Sequence, residues 1–178
     1  LGAIAITGGV ISNNTQGMNT IGLCQSTGGT FSNAKAEGIA SSGITEIQNA
    51  TITGNKTQGV SNAGTMTILG GSFTKNQSNG LTNASTGTLT IRKGNFNQNS
   101  ENGVENAGNL SMTGGSAMFN TKNGISNQTS DQTTATISTP EPLSSNQGSG
   151  IENQSGMLTV NNVLVGKDAA NPLTNGNI

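Results

Sequence analysis

The feature that most constrains this chain is a repeat. Residues 59–79 read GVSNAGTMTILGGSFTKNQSN, and residues 80–102 read GLTNASTGTLTIRKGNFNQNSEN. Each version opens with Gly and an aliphatic residue (Val60, Leu81), then an Asn two residues on (Asn62, Asn83). A small turn with Gly follows, then an alternating run: Thr65-Met66-Thr67-Ile68 or Thr88-Leu89-Thr90-Ile91. Each closes on Gly, a Phe, and an Asn three residues after it (Phe73 and Asn76, Phe96 and Asn99). Self-similarity at a period of this length marks a solenoid. Aligned on the leading Gly, units start at Gly17, Gly38, Gly59, Gly80, Gly103, Gly124 and Gly150, spaced by 21, 21, 21, 23, 21 and 26 residues. A partial unit precedes Gly17.

Alternation over three to five residues places successive side chains on opposite faces, which is the period of a strand. Each unit supplies three such runs, separated by corners at the Gly and Asn positions, where positive φ is cheap. The expected fold is all-β: a single-stranded parallel β-helix, or β-solenoid, of about eight coils of ~21 residues with three short strands each. Right-handed winding follows the usual crossover preference. One domain is expected over residues 1–178, and a lone coil cannot offset the entropy of ordering its own residues, so stacking is obligatory. Asn, Ser, Gly and Thr dominate the chain, which also suits low-complexity disorder. A disordered chain has no reason to keep an aliphatic residue at one phase through seven units.

The register defines three columns. The core stack takes Phe31, Ile52, Phe73, Phe96 and Leu143, with Ile11 before them. One Asn column comprises Asn62, Asn83, Asn106, Asn127 and Asn153, and the other Asn14, Asn55, Asn76, Asn99, Asn120 and Asn146. An amide carries donors and an acceptor, so stacked Asn side chains can bond one another along the axis. The columns read as structural ladders rather than ligand contacts. Cys24, the single cysteine, falls on an inward position and reads as a small buried hydrophobe rather than a reactive thiol.

Charge and residue types narrow the chemistry. Charged residues make up 8% of the chain and the formal net charge is -1. The seven Lys and Arg are scattered, which argues against a nucleic-acid partner. No apolar run approaches the ~20 residues of a membrane-spanning helix. With no His, a Ser-His-Asp triad is impossible. Stacking brings Glu105 and Glu152 to one corner, with Ser126 in the coil between, roughly 10 Å apart. That reads as solvated charge rather than a catalytic pair. No catalytic residue, metal or cofactor is expected, and the chain reads as non-enzymatic.

The coil from Gly124 gains five residues, around Ser130-Asp131-Gln132 and Thr139-Pro140-Glu141-Pro142. Proline cannot donate to a ladder, so Pro140 and Pro142 mark a bulged corner. Asp131, Pro140, Glu141 and Pro142 form a candidate binding loop, because insertions in solenoids tend to gather on the binding face. The outward pairs Thr65/Thr67, Thr88/Thr90 and Thr134/Thr136 raise ice binding as a lesser reading; Leu23/Gln25, Ile44/Glu46 and Asn109/Ser111 interrupt the array. The phase of Leu1-Gly2 matches that of Ala63-Gly64, and residues 171–178 (NPLTNGNI) match Asn79 to Asn83 and the start of the turn after it. Two situations fit: a segment of a longer solenoid flanked by further repeats, or identical chains stacked head to tail into a filament.

The units resemble the Asn/Gly-rich repeats of bacterial surface proteins with a pectin-lyase-like right-handed β-helix. Phe73–Asn76 and Phe96–Asn99 are similar to the FxxN repeats of polymorphic outer-membrane adhesins, with Ile11–Asn14, Ile52–Asn55 and Leu143–Asn146 as aliphatic variants. The second signature of that family, GGA before an aliphatic residue, is replaced by Asn-Gly-Leu and Asn-Gly-Val. The resemblance implies secretion, exposure at the cell surface, and a role as stalk, fibre or adhesin. The partners it suggests are the chain itself, flanking repeats, or surface glycans.

Overall fold

A computed structural model of the chain describes residues 2–166. Leu1 and residues 167–178, with Asp168 and the terminal NPLTNGNI match, lie outside the described residues. The described chain is a parallel β-solenoid without helix. Each coil passes three faces in turn. The leading face carries seven strands, from Met18–Thr20 to Ile151–Ser155, and includes Val60–Asn62 and Leu81–Asn83. The alternating face carries eight, from Ala3–Ile6 to Met157–Val160. The Phe face is less regular. It has a four-stranded sheet from Val10–Ser12 to Ser72–Thr74 and a pair made of Pro142–Ser144 and Leu164–Gly166. Single bridges, Ser72 to Asn95 and Asn95 to Ser116, span the coils between, so two coils lack the third strand expected of them.

Pairing is parallel and in register from coil to coil. Thr65 faces Ile44 below and Thr88 above, and Phe73 faces Ile52. Because the side-chain period is two, this register keeps every inward residue inward. Phe31, Ile52, Phe73, Phe96 and Leu143 are all buried and belong to one continuous core. Phe73 and Phe96 stack at a centroid separation of 4.6 Å and 15° between planes. In the next coil the column is filled by Ala117, while Phe119 is displaced to the surface. Cys24 is buried against the Met18 thioether at 4.0 Å, and burial raises its thiol above the ordinary value.

The two longer repeats lodge their extra residues at corners; at the second, pairing with the next coil shifts by one residue beyond Asn127, where Gln128 meets Ser155. Ser85 and Thr86 sit in the turn closed by the Gly87 N–H on the Ala84 carbonyl at 2.8 Å. Residues 129–133 fill the same corner two coils on, after the strand Ile125–Gln128, where only Ala107 and Gly108 stand in the preceding coil.

The left-handed corner departs from expectation. The positions with positive φ between the Phe and leading faces are Asn13, Asn33, Gly54, Lys75, Gln98, Phe119 and Ser145. The sequence places the corners at the Gly and Asn positions, yet Lys75, Gln98 and Phe119 adopt φ of 57°, 58° and 57°. Each immediately precedes a ladder Asn. The hydrogen bonds of that Asn fix the backbone and override local preference.

Candidate functional site

The two Asn columns are built from different strands and hydrogen-bond differently. At the corner after the Phe face, the Asn55 amide donates to Asn76 Oδ1 at 2.9 Å, Asn76 to Asn99 at 3.1 Å, Asn99 to Asn120 at 3.1 Å, and Asn120 to Asn146 at 2.9 Å. Each of these oxygens also accepts the backbone N–H of the Asn below, as Asn99 Oδ1 does from Asn76 at 3.1 Å. The second amide hydrogen goes to a Phe-face carbonyl, so Asn99 donates to the Phe73 carbonyl at 3.0 Å. Asn14 stands outside this ladder. The next coil has Ala34 at the ladder position, with no amide to meet it, and Asn14 is exposed. The Ala34 N–H takes the Asn55 oxygen at 3.0 Å, which ends the column.

The second column lies on the leading face, where Asn62, Asn83, Asn106, Asn127 and Asn153 follow one another at 2.8 Å per amide bond. Its amides also hold the carbonyls of the following turn, including Asn62 on Gly64 at 3.2 Å and Asn106 on Gly108 at 3.0 Å. Ser41 takes the position below Asn62 and contacts the Thr45 hydroxyl at 2.8 Å instead.

A third polar column went unnoticed in the sequence. It occupies the residue just before six of the seven leading Gly, Gln16, Glu37, Gln58, Asn79, Asn102 and Asn123, and gives way to Ser149 before Gly150. Gln16 and Gln58 both donate to Glu37, at 3.0 and 3.4 Å. Asn102 N–H donates to Asn79 Oδ1 at 2.9 Å, and Asn123 N–H to Asn102 Oδ1 at 3.1 Å. The signal was present, since an amide or carboxylate recurs at one phase, but Asn-Gly read as a turn dipeptide and hid it.

Four of the leading Gly residues, Gly38, Gly59, Gly80 and Gly124, are confined by an amide of the first ladder. A Cβ on Gly80 would lie 2.7 Å from Asn99 Nδ2 and 2.6 Å from the Gly103 carbonyl oxygen, and Gly59 is equally confined by Asn76 and Gly80. The amide column and the next coil both pass where a side chain would stand.

The four residues of the candidate loop do not come together. Asp131 is exposed in the turn between the leading and alternating faces, closed by the Thr133 N–H on the Ser130 carbonyl at 3.1 Å. Pro140 and Glu141 occupy the next corner, between the alternating and Phe faces, and Pro142, expected in the same bulge, opens the Phe-face strand that follows. Glu141 turns back on the solenoid. Its Oε2 accepts the Thr139 hydroxyl at 2.7 Å and the Gly115 N–H at 3.1 Å, and these bonds hold its carboxyl below the usual value. Pro142 sits in a strand and its carbonyl accepts the Ala117 N–H at 3.2 Å. Glu141 and Pro142 therefore seal a corner.

Outside the ladders, polar groups gather in a trough of about 760 Å³ beside the leading face. Its walls include Glu101, Glu105, Lys122, Gln128, Gln147 and Glu152, with Asn102 and Asn123 of the third column among the lining residues. Glu101 is paired with Lys122 at 2.9 Å and accepts the Ser78 hydroxyl at 2.9 Å; the Lys122 bond chiefly holds its carboxyl below the ordinary value. Glu105 and Glu152 are two rungs apart in one outward column, with Ser126 between them in register. Among the described residues no group of three or more His, Cys, Asp or Glu is placed to hold a metal ion, and no helix is long and apolar enough to cross a membrane.

The Thr pairs at 65/67, 88/90 and 134/136 share the outer side of the alternating face, interrupted by Asn109 and Ser111. A second hydroxyl array stands on the Phe face: Thr30/Ser32, Thr51/Thr53 and Ser72/Thr74, all half-buried. The fold thus defines a repeat protein of the β-solenoid class. Neither a family model nor a curated protein matches this chain.

Proposed function

We propose that this chain is a non-enzymatic structural β-solenoid of the bacterial cell surface, serving as a stalk or as a subunit that stacks head to tail into an extracellular filament. The observation that carries this reading is the pair of axial Asn ladders, from Asn55 to Asn146 and from Asn62 to Asn153, whose amide bonds tie each coil to the next. A hydrogen-bonded column along the axis stiffens a stack of coils and commits its polar side chains to one another. The likeness of the repeats to those of surface adhesins supports placement outside the cell.

Negative-stain microscopy of the purified chain tests the filament arm: concentration-dependent filaments are expected, and short monodisperse rods at every concentration would reject it. Labelling of intact cells with an antibody to the folded chain tests the surface arm, and labelling only after lysis would reject that.

A further inference from the structure

We propose that Asn79, Asn102 and Asn123 are latent deamidation sites, which the third polar column holds shut while the chain is folded. The inference does not rest on the stalk or filament reading. Each of the three precedes a leading Gly. An Asn-Gly step is chemically weak because Gly has no side chain to hinder its own nitrogen. That nitrogen gives its proton to a solvent base and attacks the Asn Cγ; the bond to the side-chain nitrogen breaks and ammonia leaves. The cyclic imide so formed takes up water and opens to aspartate or isoaspartate. The fold imposes the dipeptide. Gly80 and Gly124 are confined by the Asn99 and Asn146 amides, and the Cβ position of Gly103 lies 2.7 Å from the Gly124 carbonyl oxygen.

Two conditions of the attack are blocked at every site. The Gly nitrogen must be free to lose its proton, yet each donates to a carbonyl of the coil above: Gly80 to Asn102 at 3.0 Å, Gly103 to Asn123 at 3.0 Å and Gly124 to Ser149 at 2.9 Å. The Asn side chain must fold back over its own backbone, yet each is held by that same coil. The Oδ1 atoms of Asn79, Asn102 and Asn123 accept the backbone N–H of Asn102, Asn123 and Ser149 at 2.9, 3.1 and 2.8 Å. Carboxylates clamp two of the amides as well: Asn79 Nδ2 donates to Glu105 at 2.6 Å and Asn123 Nδ2 to Glu152 at 2.8 Å. Asn79 and Asn102 are also buried, away from the water that the reaction consumes. A carboxylate in place of the Asn79 or Asn123 amide would meet Glu105 or Glu152 as a like charge, and isoaspartate would lengthen the backbone within a ladder. Deamidation in the unfolded chain therefore makes unfolding irreversible.

Timed peptide mapping of the full chain, folded and in urea, tests the proposal, because trypsin places the three sites in separate peptides, 76–92, 94–122 and 123–167. In urea all three Asn are expected to convert. In the folded chain each should react at least about a hundred-fold more slowly, since core strands must open first. Glu152→Ala should speed Asn123 about ten-fold and leave Asn79 unchanged, and Glu105→Ala the reverse, as loss of one charged hydrogen bond implies. Glu152→Gln keeps an acceptor for the Asn123 amide and should match wild type. A folded chain that deamidates as fast as the unfolded one would overturn the proposal. So would an alanine variant that speeds all three sites alike, or none of them.

Discussion

Asn99 Oδ1 accepts two hydrogen bonds from the same residue, the backbone N–H and the side-chain amide of Asn76, both at 3.1 Å. One oxygen therefore satisfies two buried donors of the coil below, while the Asn99 amide satisfies the Phe73 carbonyl and the Asn120 oxygen. Replacing Asn99 by Ala strands several buried groups at once. Each unsatisfied group costs about 1–3 kcal/mol, so the loss should reach roughly 3 kcal/mol or more. Asn14→Ala, at an exposed position outside the ladder, should stay within about 0.5 kcal/mol. Chemical denaturation of the two variants checks the contrast, and equal losses would show that the ladder contributes nothing of its own.

Gly80 is confined by the same column. Its Cβ position lies 2.6 Å from a carbonyl oxygen of the next coil and 2.7 Å from the Asn99 amide. Neither neighbour can retreat without breaking a rung. Gly80→Ala should cost about 2 kcal/mol. Gly2→Ala, with no neighbour within 4 Å, should be nearly silent. Thermal melts of both variants decide the matter: a Gly80→Ala chain as stable as wild type would mean the coils can spread at the leading corner.

The coil, its period and its inward columns were legible because each rests on a short pattern that recurs at one phase. Met66 and Ile68, or Phe73 and Asn76, state their orientation through alternation and spacing alone. What was not legible depended on neighbours in the adjacent coil. Asn14 has the right spacing for a ladder, but its partner position holds Ala34, and the break lies in the partner. Asp131 and Glu141 are close in sequence yet fall on successive corners, because the strand Thr134–Ile137 runs between them. The register alone put Glu105, Ser126 and Glu152 in one column, but not that Asn79 and Asn123 reach those carboxylates from the third column, which depends on side chains of other coils.

Phe119 adopts φ of 57° on the surface, a conformation that a bulky side chain rarely accepts. The following ladder residue, Asn120, imposes it. Asn tolerates the left-handed region better, and Asn13 and Asn33 already occupy the equivalent corner. Phe119→Asn should raise stability by about 1 kcal/mol while removing an exposed aromatic ring. A lower melting temperature would instead assign the ring a packing role at that corner.

Acid sensitivity should trace to carboxylates tied into the solenoid. Glu141 is held below its ordinary value of 4.5 first by the Thr139 hydroxyl, and Glu101 first by Lys122. A carboxylate whose folded value is depressed takes up fewer protons in the native state than in the unfolded chain. Its contribution is fully present above the unfolded value and is lost as pH falls through the folded one. Melting temperature should therefore be level near neutrality and decline below about pH 4.5. Glu141→Gln keeps an acceptor for the Gly115 N–H but cannot titrate. It should start lower at neutral pH and lose less on acidification. Parallel melting curves for wild type and variant across the acid range would refute this assignment.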